Sequence, residues 1–388
     1  MKIEKFVIND TEYSQRNVLI VAELGTSHGA DAVKAGELIE AAAEAGADCI
    51  KFQIVYAREI LHPNTGDVVL PGGKTALYDR FRELELPPSF YAEMKERVEK
   101  KGLIFLCTPF GIQSARELYG LRPKCLKIAS PELNYTALLS ELARYKLPTL
   151  LSTGVSKLSD IEEALEILTA GPPLSVPRPS ICLLHCVTSY PAPEKDYNLR
   201  VLKSLSSVFG LPVGVSDHSL DPCLVPALGT AMGAAVIEKH FCLDKSHPGL
   251  DDPIALDPAN FAQMVQVIRQ AQKEESEKTV ETLCRERGWE LVESILGDGI
   301  KRLAPSEKAN YGLTNRSIHA MRDISKGETI GRETIACLRT EKNLRPGLAP
   351  QWEEKIIGLK AAGFIPAGEG IRFSDLDWAP VKFGRIQD

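Results

Sequence analysis

The stretch VLIVAEL (18–24), DAVKAGELIEAAAEAG (31–46), ADCIKFQI (47–54) decides the fold. Its outer pieces are short, β-branched and apolar on both faces, as strands buried between two layers are. The piece between them repeats apolar residues at helical spacing, opens at Asp31 and closes at Gly46, residue types that favour helix starts and stops. Strand, helix and strand make a βαβ unit with two parallel strands. Working outward, LIFLC (103–107), KCLKIA (124–129), PTLLS (148–152), ICLLHCV (181–187), LPVGVSD (211–217) and AAVIEKHF (234–241) repeat the strand pattern. Helical patterns such as PSFYAEMKERVEKKG (88–102), SDIEEALEILTAG (159–171) and DPANFAQMVQVIRQAQ (257–272) lie between or after them. Eight such units predict an α/β protein whose parallel sheet closes as a (β/α)8 TIM barrel over residues 1–275; an open doubly wound sheet is the competing arrangement.

Beyond the barrel, residues 276–312 are charged, helical-looking and then loop-like, which predicts a linker. SIHAMRDISKGETIGRETIACLR (317–339) carries short strands and turn signals without a long helix, so 313–388 reads as a small β or irregular domain. The only long insertion in the barrel, 55–88, contains HPNTGDVVLPGG (62–73) and is expected as a loop at the active face.

The 388 residues are 44% apolar with a formal charge of −6, which is enough chain for a large core. The mild negative charge argues against nucleic acid or an anionic membrane surface as partner. No apolar run reaches the roughly 20 residues of a bilayer span, and the opening residues lack the apolar core of a signal peptide. The nine cysteines are odd in number, never spaced C-x-x-C, and mostly set in apolar runs, as reduced cytoplasmic thiols are.

In a (β/α)8 barrel the chemistry sits at the carboxyl ends of the strands. Those ends carry Glu23, Lys51 with Gln53, Thr108, Lys127 with Ser130, Ser152, Thr188 with Tyr190, Ser216 to His218, and Glu238 to His240. Grouping so many polar side chains is costly unless they bind something. One lysine in an apolar strand can snorkel or pair with a glutamate. Two lysines from different strands, with hydroxyls around them, suit a phosphate or carboxylate. His218 and His240 end adjacent strands and can share one divalent cation; singly, each reads equally well as a core histidine. With no cysteine ligand the site would be weak and exchangeable, suiting Mn²⁺ or Mg²⁺ rather than structural zinc. Glu238 and His240, two apart, share a face, whereas Lys239 points the other way and reads as structural. His185 and Cys186 read as core.

Together the blocks AELGTSH (22–28), GADCIKFQ (46–53), CTPFG (107–111), KIASPE (127–132), LSTG (151–154), LLHCVTSYPAP (183–193), VGVSDHS (213–219) and VIEKHF (236–241), with NRSIHAMRDISKGE (315–328) and LRPGLAP (344–350), resemble the sialic acid (nonulosonic acid) synthases. The resemblance implies a barrel that binds phosphoenolpyruvate and a C-terminal antifreeze-like (SAF) domain. It assigns Lys51, Thr108, Lys127, Ser130, Ser152 and Ser216 to phosphoenolpyruvate, with Gln53 beside them. His218 and His240 become ligands of a divalent metal, Mn²⁺ with Mg²⁺ or Co²⁺ as alternatives. Glu23 becomes the acid/base carboxylate, and Thr188, Tyr190, Glu238 and Asp251 surround the sugar. It further implies a homodimer in which the C-terminal domain caps the partner's barrel and supplies an arginine to the acyl-amino group. Counting from Asp323 selects Arg339 and makes TEKNLR (340–345) an insertion; counting back from the Pro-Gly pair selects Arg345.

The departures fall on the acceptor side. The family's N-H-N-G loop is Ser27-His28-Gly29-Ala30, its Pro-Gly-Asn is Pro71-Gly72-Gly73, and the asparagine of its sixth loop is Thr188. VTSYP and VIEKHFCLDKS are closer to the pseudaminic and legionaminic branch than to the N-acetylneuraminate enzymes. The expected reaction condenses phosphoenolpyruvate with an N-acylated amino hexose aldehyde to a nine-carbon 2-keto acid and phosphate. The rivals are a Schiff-base aldolase using Lys127 and a non-catalytic sugar- or ice-binding protein.

Overall fold

The computed structural model describes residues 5–70, 73–170, 180–246 and 249–378; Pro71 and Gly72 of the altered acceptor loop lie outside the described residues. Eight parallel strands form one sheet: β1 Leu19–Gly25, β2 Cys49–Ile54, β3 Ile104–Pro109, β4 Leu126–Ile128, β5 Thr149–Ser152, β6 Ile181–Cys186, β7 Val213–Asp217 and β8 Val236–His240. Neighbours in space are neighbours in sequence, and β8 pairs with β1, which excludes the doubly wound order. At the seam β3 and β4 pack side by side without a shared ladder, so this near-barrel is closed there by packing.

The helices follow from local chemistry. In helix Ala32–Glu44 the Asp31 side chain accepts from the Val33 and Lys34 amides, and Ala35, Leu38, Ile39 and Ala42 face the sheet. Helix Pro88–Lys100 starts with proline, whose missing amide needs no partner there, and buries Phe90, Tyr91, Met94 and Val98. These faces and the outward residues of the strands form the larger core, between sheet and helix ring.

A second, smaller core fills the barrel. Successive strand residues point to opposite faces, so Leu19 and Val21, Cys49, Leu106, Leu150, Cys182 with Leu184, and Val236 point inward. An amino-terminal hairpin, Phe6–Ile8 paired with Thr11–Tyr13, puts Phe6, Ile8 and Tyr13 against them and plugs that end.

Residues 276–296, expected as the helical part of a linker, form helices Ser276–Arg287 and Trp289–Leu296 that belong to the barrel. Val292, Ile295 and Leu296 are buried in the barrel's outer core, so the connecting segment is 297–316. The insertion after β2 is also more ordered than a loop, with helices Ala57–Ile60 and Leu77–Glu83 and a hairpin Asp67–Leu70 against Gly73–Ala76. The C-terminal domain has two short antiparallel pairs, Ser317–Ala320 with Ile335–Leu338 and Lys360–Ala361 with Leu376–Asp377, around an isoleucine-rich core. Within this single chain it sits on the chain's own barrel. The fully buried Arg316 donates to the Phe110 carbonyl at 2.6 Å and pairs with Glu132 at 2.9 Å, and the Arg339 amide donates to Ile60 at 2.9 Å. Among the described residues no helix is long and apolar enough to cross a membrane.

Candidate active site

The inward face of each strand changes character along its length. Past the apolar layer the next inward positions are Glu23, Lys51 and Gln53, Thr108, Lys127, Ser152, Cys186, Ser216 and, on β8, Glu238 and His240. Register brings them level, because Glu23 lies opposite both Lys51 and His240, Gln53 opposite Thr108, and Ser216 opposite Glu238. They open into a cavity of about 680 Å³ under the C-terminal domain.

Lys51 Nζ lies 3.0 Å from Glu23 and 3.2 Å from Glu238, and Lys127 Nζ lies 3.2 Å from the same Glu238 oxygen. Ser216 donates to that oxygen at 2.9 Å, and Gln53 donates to Glu23 at 2.5 Å. Burial would raise the Glu238 carboxyl, but the ammonium groups of Lys127 and Lys51 overcome it and hold Glu238 well below the usual carboxylate range. Burial, only partly offset by Lys51, leaves Glu23 raised. It lowers Lys127 despite Glu238, whereas at Lys51 the two glutamates outweigh burial and raise the amine. Two fully buried hydroxyls, Thr108 Oγ1 and Ser152 Oγ, have no hydrogen-bond partner among the described residues. Ser130 accepts from the Gly154 amide at 3.0 Å, and a Cβ at Gly154 would come within 2.2 Å of Thr188 Oγ1. Buried donors left without acceptors beside two ammonium groups are what an anion would satisfy.

Across the mouth, the His218 and His240 rings lie 5.6 Å apart between centroids, and Tyr190 stacks on His218 at 4.3 Å. His218 Nδ1 is 3.0 Å from the Val187 carbonyl, which can only accept, so Nδ1 carries a proton; burial would lower this imidazole, but Cys186 and that carbonyl outweigh it and raise it. Burial and the neighbouring His218 hold His240 well below its ordinary value and hence neutral. Asp251 Oδ2 is 3.9 Å from His240 Nδ1; burial and the Glu23 charge push its carboxyl up to about 6. Among the described residues no three metal-ligating side chains cluster. The donor set is two imidazoles with open positions, which fits an exchangeable divalent cation, whose binding would displace a proton from His218, and not a closed structural site.

Lys239 faces outward and is bound by Asp217 at 2.6 Å and the Ser219 carbonyl at 2.6 Å, a structural ion pair. Asp217 in turn accepts from Tyr197, whose hydroxyl accepts from the His218 amide at 2.7 Å and so helps set that loop. His185 is a core histidine bonded to the Tyr197 carbonyl, and His28 packs on Phe52 and Phe90. Cys186, however, is not sequestered in core; its sulfur lines the cavity 3.7 Å from His218 Nδ1. Parity with Cys182 and Leu184 was the overlooked signal.

The two candidate lid arginines separate cleanly. Arg339 lines the cavity, stacks over Phe110 and binds Glu132 at 2.6 Å. Arg345 is corrected out of the site: its guanidinium is held inside the C-terminal domain by Asp375 at 2.7 Å and the Gly370 carbonyl. Sequence reasoning also missed the contributions of the connecting segment and lid. Thr188 is held by Glu307 and Asn310, and Asn310, Glu341, Lys342 and Asn343 complete the wall. Nothing local marks them, since their place depends on how the lid docks.

A parallel barrel with its polar residues gathered at the carboxyl ends has the architecture of the barrel enzymes. The NeuB family matches residues 38–279 and the SAF domain matches 315–377, and the chain belongs to the NeuB family. It is 34% identical to the N,N'-diacetyllegionaminic acid synthase of Legionella pneumophila, over 94% of this chain and 96% of that one. It is 33% identical to a pseudaminic acid synthase of Campylobacter jejuni, over 93% and 97%. The crystal structure of spore coat polysaccharide biosynthesis protein SpsE from Bacillus subtilis superposes with a TM-score of 0.78 at 31% identity, covering 96% of this chain and 99% of that chain.

Proposed function

We propose that the protein condenses phosphoenolpyruvate with the open-chain aldehyde of an N-acylated amino hexose, releasing phosphate and a nine-carbon 2-keto sugar acid. The carrying observation is the convergence on one mouth of Lys51, Lys127 and the unpartnered hydroxyls of Thr108 and Ser152 with the imidazoles of His218 and His240. The relatives named legionaminic and pseudaminic acid synthases support the same reading.

Lys51 and Lys127, with Thr108, Ser130, Ser152 and Ser216, hold phosphate and carboxylate so that C3 of the enol faces the aldehyde carbon, a positioning effect that can supply several kcal/mol. A divalent cation at His218 and His240, Mn²⁺ or else Mg²⁺ or Co²⁺, supplies Lewis-acid polarisation of the aldehyde oxygen when bound. The new bond joins C3 to the aldehyde carbon, whose oxygen becomes a hydroxyl. Glu23 takes a proton from the water that adds at C2, which its raised pKa favours. The C2–O bond to phosphate then breaks and leaves the ketone; of the two protons of the water, one ends on the former aldehyde oxygen and the other on the released phosphate. Arg339, Tyr190, Thr188, Glu238 and Asp251 surround the sugar. We further place the protein in the cytoplasm as a homodimer whose lids exchange, each making across chains the contacts that Arg316 and Arg339 make within one.

The test is phosphate release from phosphoenolpyruvate with Mn²⁺ and a panel of N-acetylmannosamine and diacetamido-trideoxyhexoses. Release that stops with chelator and returns with Mn²⁺ is expected. Silence with every aldehyde sugar supports a binding protein, and borohydride trapping of Lys127 on a keto substrate supports an aldolase. For the exchanged lid, mixing Glu23→Gln with Arg339→Ala chains should restore activity.

A further inference from the structure

The insertion after Arg339 is the part of the mouth that the proposed chemistry leaves unused. Its ends are fixed. The Arg339 amide donates to the Ile60 carbonyl at 2.9 Å, Thr340 Oγ1 donates to the Leu313 carbonyl, and Asn343 Nδ2 donates to the carbonyls of Thr65 at 2.9 Å and Asp67 at 2.6 Å. Between these anchors Glu341 and Lys342 adopt φ of 47° and 65°, the left-handed region that side-chain-bearing residues occupy only when their surroundings impose it. Such forced backbone tends to occur where a side chain must be aimed. Glu341 is partly buried and lines the same cavity as Lys51 and His218. Its neighbour Arg339 is already bound to Glu132, and among the described residues no hydrogen bond or ion pair reaches the Glu341 carboxylate. Burial raises its pKa against the opposing pull of Arg339, as befits an acceptor lacking a donor. The same cavity has an apolar stretch of wall, formed by Val68, Leu77, Phe81 and Leu250, which belong to one hydrophobic cluster.

We propose that Glu341 is a specificity-determining residue that accepts a hydrogen bond from an N–H or O–H at the end of the acceptor sugar remote from its aldehyde, next to an apolar wall that receives methyl groups. Resting on the synthase reading above, this selects an acceptor with a second acylamino group and a terminal methyl over a fully hydroxylated hexose. Lys342 lines the same cavity, where it can meet an acyl carbonyl.

The experiment compares wild type, Glu341→Ala and Glu341→Gln in phosphate release with a diacetamido-trideoxyhexose and with N-acetylmannosamine. Glu341→Ala should raise KM for the diacetamido sugar about tenfold, the scale of one hydrogen bond to a charged group, with kcat and the phosphoenolpyruvate KM held within about threefold. Glu341→Gln, which still accepts, should fall between, and the preference between sugars should shrink in step. Unchanged acceptor KM values in an active enzyme overturn the assignment of Glu341 alone, as does a rise in phosphoenolpyruvate KM that betrays a disturbed lid. A wild type silent with every sugar overturns the synthase reading itself, and this inference with it.

Discussion

The two ends of the barrel interior are built from the same eight strands and the same inward parity, yet they differ completely. At the amino-terminal end Phe6, Leu19, Leu106, Leu150 and Cys182 fill the bore with apolar volume. Two to four residues further along their strands, Glu23, Lys51, Lys127 and Glu238 place charge in equally complete burial. Apolar burial stabilises the chain by about 1.5–3 kcal/mol per large side chain, whereas buried ion pairs rarely repay their own desolvation. One end therefore accounts for the fold, and the other is retained at a cost to stability because it binds.

The contrast can be broken first at Lys127. Lys127→Met should lower kcat/KM for phosphoenolpyruvate by about 10²–10³-fold, as losing a charged donor to a reacting anion does, measured by phosphate release. At the other end Leu106→Ala should cost about 2–5 kcal/mol in urea unfolding, with turnover per folded molecule within about twofold. A loss of turnover there that outruns the loss of fold would show that the two ends are coupled.

The histidines sharpen the same division. His28 and His319 are pushed down by burial to about 4 and His185 to about 3, all neutral in the core. Unfolded chains protonate histidine near pH 6.5, so below that pH the unfolded state binds more protons. Stability is thus fully present above pH 6.5 and falls as the pH drops toward 4, by about 1.4 kcal/mol per pH unit for each such group. His319→Gln should flatten the fall of the urea midpoint across that window. The smallest contrast lies in the lid, where Arg339→Ala should raise the acceptor KM about tenfold and Arg345→Ala leave it within about twofold, since only Arg339 reaches the cavity.

Much of this was legible before any coordinates. A strand buried on both faces writes itself as an apolar run, so a lysine at 51 or 127 or a glutamate at 238 stands out against its neighbours. Parity then tells Glu238 and His240 from Lys239, and the structure keeps that division. Cys186 reads as core because a thiol in ICLLHCV looks like its apolar context, although its parity matches Leu184. The segment 276–296 was legible as helical, but its packing on the barrel was not, because the exposed faces carry most of the charge and Leu283, Val292, Ile295 and Leu296 mark a narrow buried stripe.

Alternation along a strand and periodicity along a helix are local properties, set by which side of the backbone each residue leaves. The order of residues therefore determined the eight units, the apolar and polar layers and the pairing of charge with hydroxyl. Closure of the sheet, the seam between β3 and β4, the choice of Arg339 over Arg345 and the aim of Glu341 were decided only in three dimensions. Each depends on register between distant strands or on where a lid docks, and those are contacts between segments far apart in the chain.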